Sequence, residues 1–349
     1  MATTILHPQR TTSLLPLLFV LLVTLGGCAS LAPVVNTPSP ATPILRDRAL
    51  EDRILAIDPL HVSPQDVATL ASGPAPRIML LHGGIYPVHL VMESFGGFLA
   101  GMGYPEGRIR DPATNEWSYS PYDTPRRLAG IVAWTYEHDG MRPMMVGHSQ
   151  GGLYVVKILK ELAGQSADSI PVWNPFNKEA DARTTISDPL TGRERPVVGL
   201  SVAYASVLGA GGWALVLPHQ WDNLATLRRI PDTVEDFTGY FIEVDLFAWS
   251  FPGNPLDTHY VATGTAHVRN VVLPAVYNHV MLPNTEELAQ NLQVRNWINA
   301  YVPDSGADPS ILSGDAASRA LWAADVWYSI KKHWALEAQR LIKVRREAK

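Results

Sequence analysis

Short continuous apolar runs alternate along this chain with longer stretches in which apolar residues recur at helical spacing. RIMLLH (77–82) is followed by LVMESFGGFLAGMG (90–103), and RPMMVGH (142–148) by GGLYVVKILKELAG (151–164). PVVGLSVAYASVL (196–208), FTGYFIEVD (237–245) and VRNVVL (268–273) repeat the strand-like pattern, and NTEELAQNLQVRNWINAY (284–301) reads as the last helix of the series. Apolar runs of this length between amphipathic helices are the mark of strands buried on both faces. The pattern predicts an α/β fold: a mostly parallel central sheet with helices on both faces.

Two stretches interrupt the rhythm. Residues 165–195 are polar and proline-containing, and residues 210–236 open on Gly211-Gly212 and carry Trp213 and Trp221. Insertions of this size read as lid or cap elements able to shape a binding pocket. From about Ala316 to Lys349 a single long helix is expected, with Trp322, Trp327 and Trp334 in its first half and lysines and arginines towards its end. Cations suit a helix C-terminus. Tryptophans at helical spacing dock on a core, and the alternative is a basic surface helix touching anionic lipid.

The 349 residues are 46% hydrophobic and 17% charged, ordinary values for a globular protein, and a formal charge of -5 supplies no basic field for nucleic acid. The single cysteine excludes an internal disulfide and a four-cysteine zinc site. It stands at the end of Leu25-Gly26-Gly27-Cys28, just after the apolar run Leu14 to Val23 and an N-terminal stretch carrying Arg10. That layout reads as an export signal too short to remain as a membrane span. Leu-Gly-Gly-Cys resembles the lipobox of bacterial lipoproteins. The resemblance implies a signal peptide over 1–27, acylation of Cys28 and attachment to a membrane through the lipid. Ala29 at the next position resembles lipoproteins sent to the outer membrane of Gram-negative bacteria. Residues 28–45, rich in Pro, Ser, Thr and Ala, form a flexible tether; 46–303 form the folded domain, and 304–349 a C-terminal helical extension.

The candidate chemistry centres on Gly147-His148-Ser149-Gln150-Gly151. A serine hydroxyl becomes a nucleophile only when a base removes its proton and donors meet the developing oxyanion. Gly-x-Ser-x-Gly between a strand and a helix places the serine at the tip of a sharp turn, where Gly147 and Gly151 leave room for close packing. Earlier, His82-Gly83-Gly84 ends a strand in the manner of an oxyanion loop. These two motifs resemble the α/β-hydrolase superfamily, and within it lipases and esterases, over about residues 75–303. By that resemblance the backbone N–H groups of Gly84 and Gln150 form the oxyanion hole, with Ile85 as second choice for the first donor.

The remaining partners are expected in the order serine, acid, histidine. Five histidines follow Ser149: His219, His259, His267, His279 and His333. His279 fits the role of base, because it lies in a loop between a late strand and the last helix. Asp245, at the carboxyl end of a strand, is the favoured acid; Asp257 is its main rival, and Asp222 and Asp236 fit less well. Gly209-Ala210-Gly211-Gly212-Trp213-Ala214 formally matches a dinucleotide fingerprint, but Pro218 arrives too soon for the required helix. No metal or cofactor is expected in the chemistry. The expected function is hydrolysis of carboxylic esters, with acyl-ester or lipid substrates. Acyl transfer or thioester cleavage would use the same residues, and a non-catalytic envelope binding protein on the same fold is the alternative of another class.

Overall fold

Strands with apolar side chains on both faces can be buried only between two helical layers, and five of them do so in parallel. The computed structural model describes residues 47–211, 226–248, 259–274, 276–304 and 315–347. Cys28, the signal and tether segments, Trp213, His219, Trp221, Asp222 and Asp257 lie outside the described residues. The central strands are β1 (Ile78–Leu81), β2 (Met144–His148), β3 (Val202–Leu208), β4 (Val234–Ile242) and β5 (His267–Leu273). They pair in chain order, β1-β2-β3-β4-β5, all parallel, with Ile78 opposite Met144, Met144 opposite Tyr204 and His267 opposite Asp236. All carboxyl ends therefore lie on one edge of the sheet. The layout is a parallel α/β sheet.

Period-2 alternation assigns each strand residue to a layer. Met79, Leu81 and Met145 face a core built with α4 (Pro125–Asp139) and α5 (Gln150–Leu162). Ile78, Leu80, Met144 and Val146 face the opposite core. That second layer holds α1 (Arg48–Leu55), α2 (Pro64–Ala71), α3 (Tyr86–Gly101), α7 (Leu292–Ala300) and α8 (Asp315–Glu347). Among the described residues no helix is long and apolar enough to cross a membrane.

The helix expected over 284–301 is broken into α6 (Glu286–Gln290) and α7 at Asn291. The Asn291 side chain accepts from the amides of Gln293 and Val294, so it caps a new helix instead of continuing the old one. Strand β4 begins at Val234, earlier than expected, and ends at Ile242, leaving Asp245 in the loop beyond it. Among the described residues 259–265, only Val261–Ala262 forms a strand, and it pairs with Arg229–Ile230 outside the central sheet. Within 165–195 the chain forms two small antiparallel ribbons. They dock on α4 through Arg183 and the Ser187 amide, both donating to Glu137. None of the described side-chain hydrogen bonds of that insertion goes to Ser149, Asp245 or His279.

Helix α8 is part of the core. Trp322, Trp327 and Trp334 are at most 1% exposed. Several of its polar side chains find partners inside the protein: the Trp334 indole donates to Pro74 O, Gln339 to Ile54 O and Ile57 O, and Lys331 to Val62 O and Asn299 O. Glu337, almost fully buried, accepts from the backbone and the guanidinium of Arg142 at the start of β2. Asp236 on β4 receives Lys332 Nζ at 2.5 Å and His333 Nε2 at 2.9 Å.

Burial opposes ionisation of Asp236, but the hydrogen bonds from His333 and Lys332 outweigh it and hold the carboxyl well below its ordinary range. A depressed folded-state pKa adds stability above the ordinary carboxylate value, and that contribution is lost as the pH falls below about 3.9. Asp236→Asn is therefore expected to cost about 2 kcal/mol at neutral pH, the scale of a lost charged hydrogen bond. The deficit relative to wild type should narrow at about pH 3, where the carboxyl of the unfolded wild-type chain is protonated while the folded one keeps its charge. Urea midpoints of both proteins at the two pH values check this.

Candidate active site

Ser149 sits between the last residue of β2 and the first of α5 with φ 56° and ψ -123°. A non-glycine residue with this backbone is strained and must be held by its surroundings. The Ser149 amide donates to Leu208 O on the neighbouring strand at 2.8 Å, and the Ser149 carbonyl accepts from Gly152 N at 3.0 Å. The glycines on either side are required by contact. A Cβ on Gly151 would lie 2.1 Å from Leu81 O, and one on Gly147 would lie 2.6 Å from Gly151 O.

The other expected residues converge on the same edge of the sheet. His279 and Asp245 come from the loops after β5 and β4, and His279 Nδ1 meets Asp245 Oδ2 at 2.5 Å with both side chains nearly fully buried. Asp245 Oδ1 also accepts from the amides of Phe247 and Ala248, at 3.0 Å each. These bonds fix its rotamer. With its Nδ1–H directed at Asp245, the His279 ring leaves Nε2 free to accept a proton.

Two further residues tie this pair to the serine turn. His148, completely buried, donates from Nε2 to the His279 carbonyl at 2.8 Å. Burial pushes the His148 pKa well below its ordinary value and keeps the ring neutral. Gly209 (φ +56°) follows β3, and a Cβ there would lie 2.6 Å from His279 Cε1 and 3.3 Å from Asp245 Oδ2. Neither role was legible beforehand: His148 occupied a variable position of its motif, and Gly209 belonged to the discarded dinucleotide match.

The loop of His82, Gly83 and Gly84 lies against the serine. A Cβ on Gly83 would fall 3.0 Å from Ser149 Cβ, and one on Gly84 would fall 2.0 Å from Gln150 Oε1. Among the described residues, the amides of Gly84, Ile85 and Gln150 have no hydrogen-bond partner within the protein. Gln150 N–H is also at the amino end of α5, where the helix dipole favours negative charge. His82 Nδ1 contacts Gly83 O at 2.7 Å, and burial lowers the pKa of its ring.

His333 and His267 are at Asp236, at the amino end of β4 and β5, and His259 packs on Phe241 with ring centroids 5.3 Å apart. A cavity of about 590 Å³ opens at that far end, lined by Asp236, Thr238, His267 and Lys332, and does not include Ser149, Asp245 or His279. Among the described residues no group of three or more His, Cys, Asp or Glu is placed to hold a metal ion.

No protein-family model matches this chain, and no curated protein does. Among solved structures, the RedJ thioesterase from the prodiginine biosynthetic pathway in Streptomyces coelicolor is similar over 65% of this chain and 92% of its own, at 15% identity and a TM-score of 0.30. RedJ with a PEG molecule bound in the active site is similar over 63% of this chain and 92% of its own, at 15% identity and a TM-score of 0.28.

The strain at Ser149 makes a prediction that does not depend on activity. Ser149→Gly should be more stable than Ser149→Ala by about 1 kcal/mol, because only glycine adopts this backbone without steric cost. Chemical denaturation of the two variants side by side is the check, and equal midpoints would mean that the turn carries no strain.

Proposed function

We propose that this chain is a serine hydrolase that cleaves carboxylic esters through an acyl-Ser149 intermediate. The observation that carries the reading is the buried His279–Asp245 pair, tied through His148 and Gly209 to a serine on a strained turn facing unpartnered amides. In this mechanism Ser149 Oγ attacks the ester carbonyl while His279 Nε2 takes its proton. Asp245 holds the imidazole in the required tautomer and stabilises the imidazolium. The amides of Gly84 and Gln150 receive the oxyanion, with Ile85 as the alternative to Gly84. His279 then protonates the leaving alcohol, and water releases the acyl group by the same steps in reverse.

An apolar acyl group suits the surroundings. Ile85, Tyr86, Leu246, Phe247 and Val276 are all more than half exposed and adjoin the site residues in sequence. Phe247 packs against His279 with ring centroids 5.7 Å apart. Exposed apolar side chains gathered at one edge are a recognised feature of binding sites for apolar partners. Acylation of Cys28 would hold such an enzyme at a membrane, where acyl esters and lipids are concentrated. Cys28→Ser is expected to move the protein from the membrane to the soluble fraction on cell fractionation.

The test of the activity is hydrolysis of p-nitrophenyl esters, from acetyl to palmitoyl, by the full chain in detergent. Ser149→Ala should abolish it, and Asp245→Asn should reduce kcat by about four orders of magnitude, as loss of the orienting acid does in serine hydrolases. Absence of turnover on every ester, with no labelling of Ser149 by an aryl phosphonate in folded protein, would remove the esterase reading in favour of a binding scaffold.

A further inference from the structure

Two side chains grip the oxyanion loop from its carbonyl side. Tyr122 donates its phenolic O–H to Gly84 O at 2.6 Å, although the residue is 74% exposed. His82 Nδ1 stands 2.7 Å from Gly83 O, which can only accept, so this nitrogen carries the proton. Among the described residues no helix bond competes for the Gly84 carbonyl: the amides of Val88 and His89 in the first turn of α3 both go to Ile85 O.

A trans peptide group is planar, with its C=O and N–H pointing in opposite directions, and no peptide bond among the described residues is cis. Holding Gly83 O therefore sets the direction of the Gly84 N–H, and holding Gly84 O sets that of the Ile85 N–H. These are the two candidate oxyanion donors, and among the described residues both are otherwise unrestrained by hydrogen bonds of their own. A bond accepted at the carbonyl also polarises the amide and makes its N–H a stronger donor.

Tyr122 is placed well for this task. Its loop joins the end of β1 through a bridge between Leu81 and Tyr119 and through the His82 amide donating to Tyr119 O at 3.3 Å. Asp123 N bonds to Ser120 O, the Tyr122 amide bonds to Ser120 Oγ, and Asp123 is paired with Arg127 at 2.7 Å. An exposed tyrosine on a turn secured this closely spends its hydroxyl on one carbonyl.

We propose that Tyr122 and His82 are positioning residues that set the two peptide planes of the oxyanion loop. The proposal rests on the esterase reading of Ser149. It assigns to Tyr122 no contact with substrate. Its hydroxyl acts through the Gly84–Ile85 peptide, and His82 acts through the Gly83–Gly84 peptide.

Tyr122→Phe removes one oxygen from an exposed side chain, so its thermal midpoint should equal that of wild type. With p-nitrophenyl butyrate and the full chain in detergent, kcat should fall about ten-fold, less than the loss of an oxyanion donor itself because the donor remains but is misdirected. KM should stay within about two-fold, since the ground-state ester makes weak use of the hole. His82→Asn, which keeps an N–H donor close to the position of Nδ1, should retain most of kcat, whereas His82→Leu should lose it. Wild-type kcat in Tyr122→Phe, or a loss confined to KM, overturns the proposal while leaving the esterase reading intact. An inactive wild type that no phosphonate labels at Ser149 overturns both.

Discussion

Main chain touches main chain where the first two strands end, and the candidate site depends on that contact. Gly151 at the start of α5 approaches Leu81 O at the end of β1, and Gly147 at the end of β2 packs against the backbone of Gly151 and Gly152, so closely that no side chain fits at either point. Three backbone segments can meet this tightly only if Ser149 takes up the bend between strand and helix, with positive φ. The bend aims the serine away from the sheet and leaves the first amides of α5 pointing at the same space. It also brings the loop of Gly83 and Gly84 after β1 alongside. A wider turn would separate Ser149 from the amides of Gly84 and Gln150.

The two ends of the sheet do different work. At the carboxyl edge, polar groups are left available: the amides of Gly84, Ile85 and Gln150 lack partners among the described residues, and a serine is held under strain. At the amino edge and under α8 charged groups are paired instead, although the buried Trp322 indole and the Tyr204 and Tyr240 hydroxyls there have no partner among the described residues. Glu337 takes up Arg142, Asp236 takes up Lys332 and His333, and Asp325 takes up Arg269. The three tryptophans of α8 fill the core between these ion pairs. Strain and unpaired donors at a site cost stability, and a densely bonded scaffold elsewhere offsets that cost. The C-terminal helix is therefore integral to the sheet that presents the site, and many of its basic side chains hold the protein together.

Much of this organisation was legible in the order of residues. The apolar runs at 77–82, 142–148, 196–208 and 237–245 marked strands, and two local motifs, His82-Gly83-Gly84 and Gly147-His148-Ser149-Gln150-Gly151, marked the turns after two of them. These signals are local: a run buried on both faces, a turn needing glycines and a helix following at once each depend on near neighbours in the chain. Boundaries that depend on side-chain competition were less visible. The break at Asn291 arises because one amide side chain satisfies two backbone N–H groups better than a continuous helix would satisfy it.

The sequence by itself determined the fold class, the parallel sheet and the candidate nucleophile, because those follow from periodicity and from glycines a few residues apart. Only the tertiary structure decided that Asp245 and His279, thirty-four positions apart, share a hydrogen bond, since the loops after β4 and β5 meet through strand pairing. It also decided that His148 reaches the backbone of His279 and Tyr122 that of Gly84, across 131 and 38 positions respectively. Such contacts carry no periodic signal. They exist because parallel pairing brings the ends of distant strands within a few ångströms of one another.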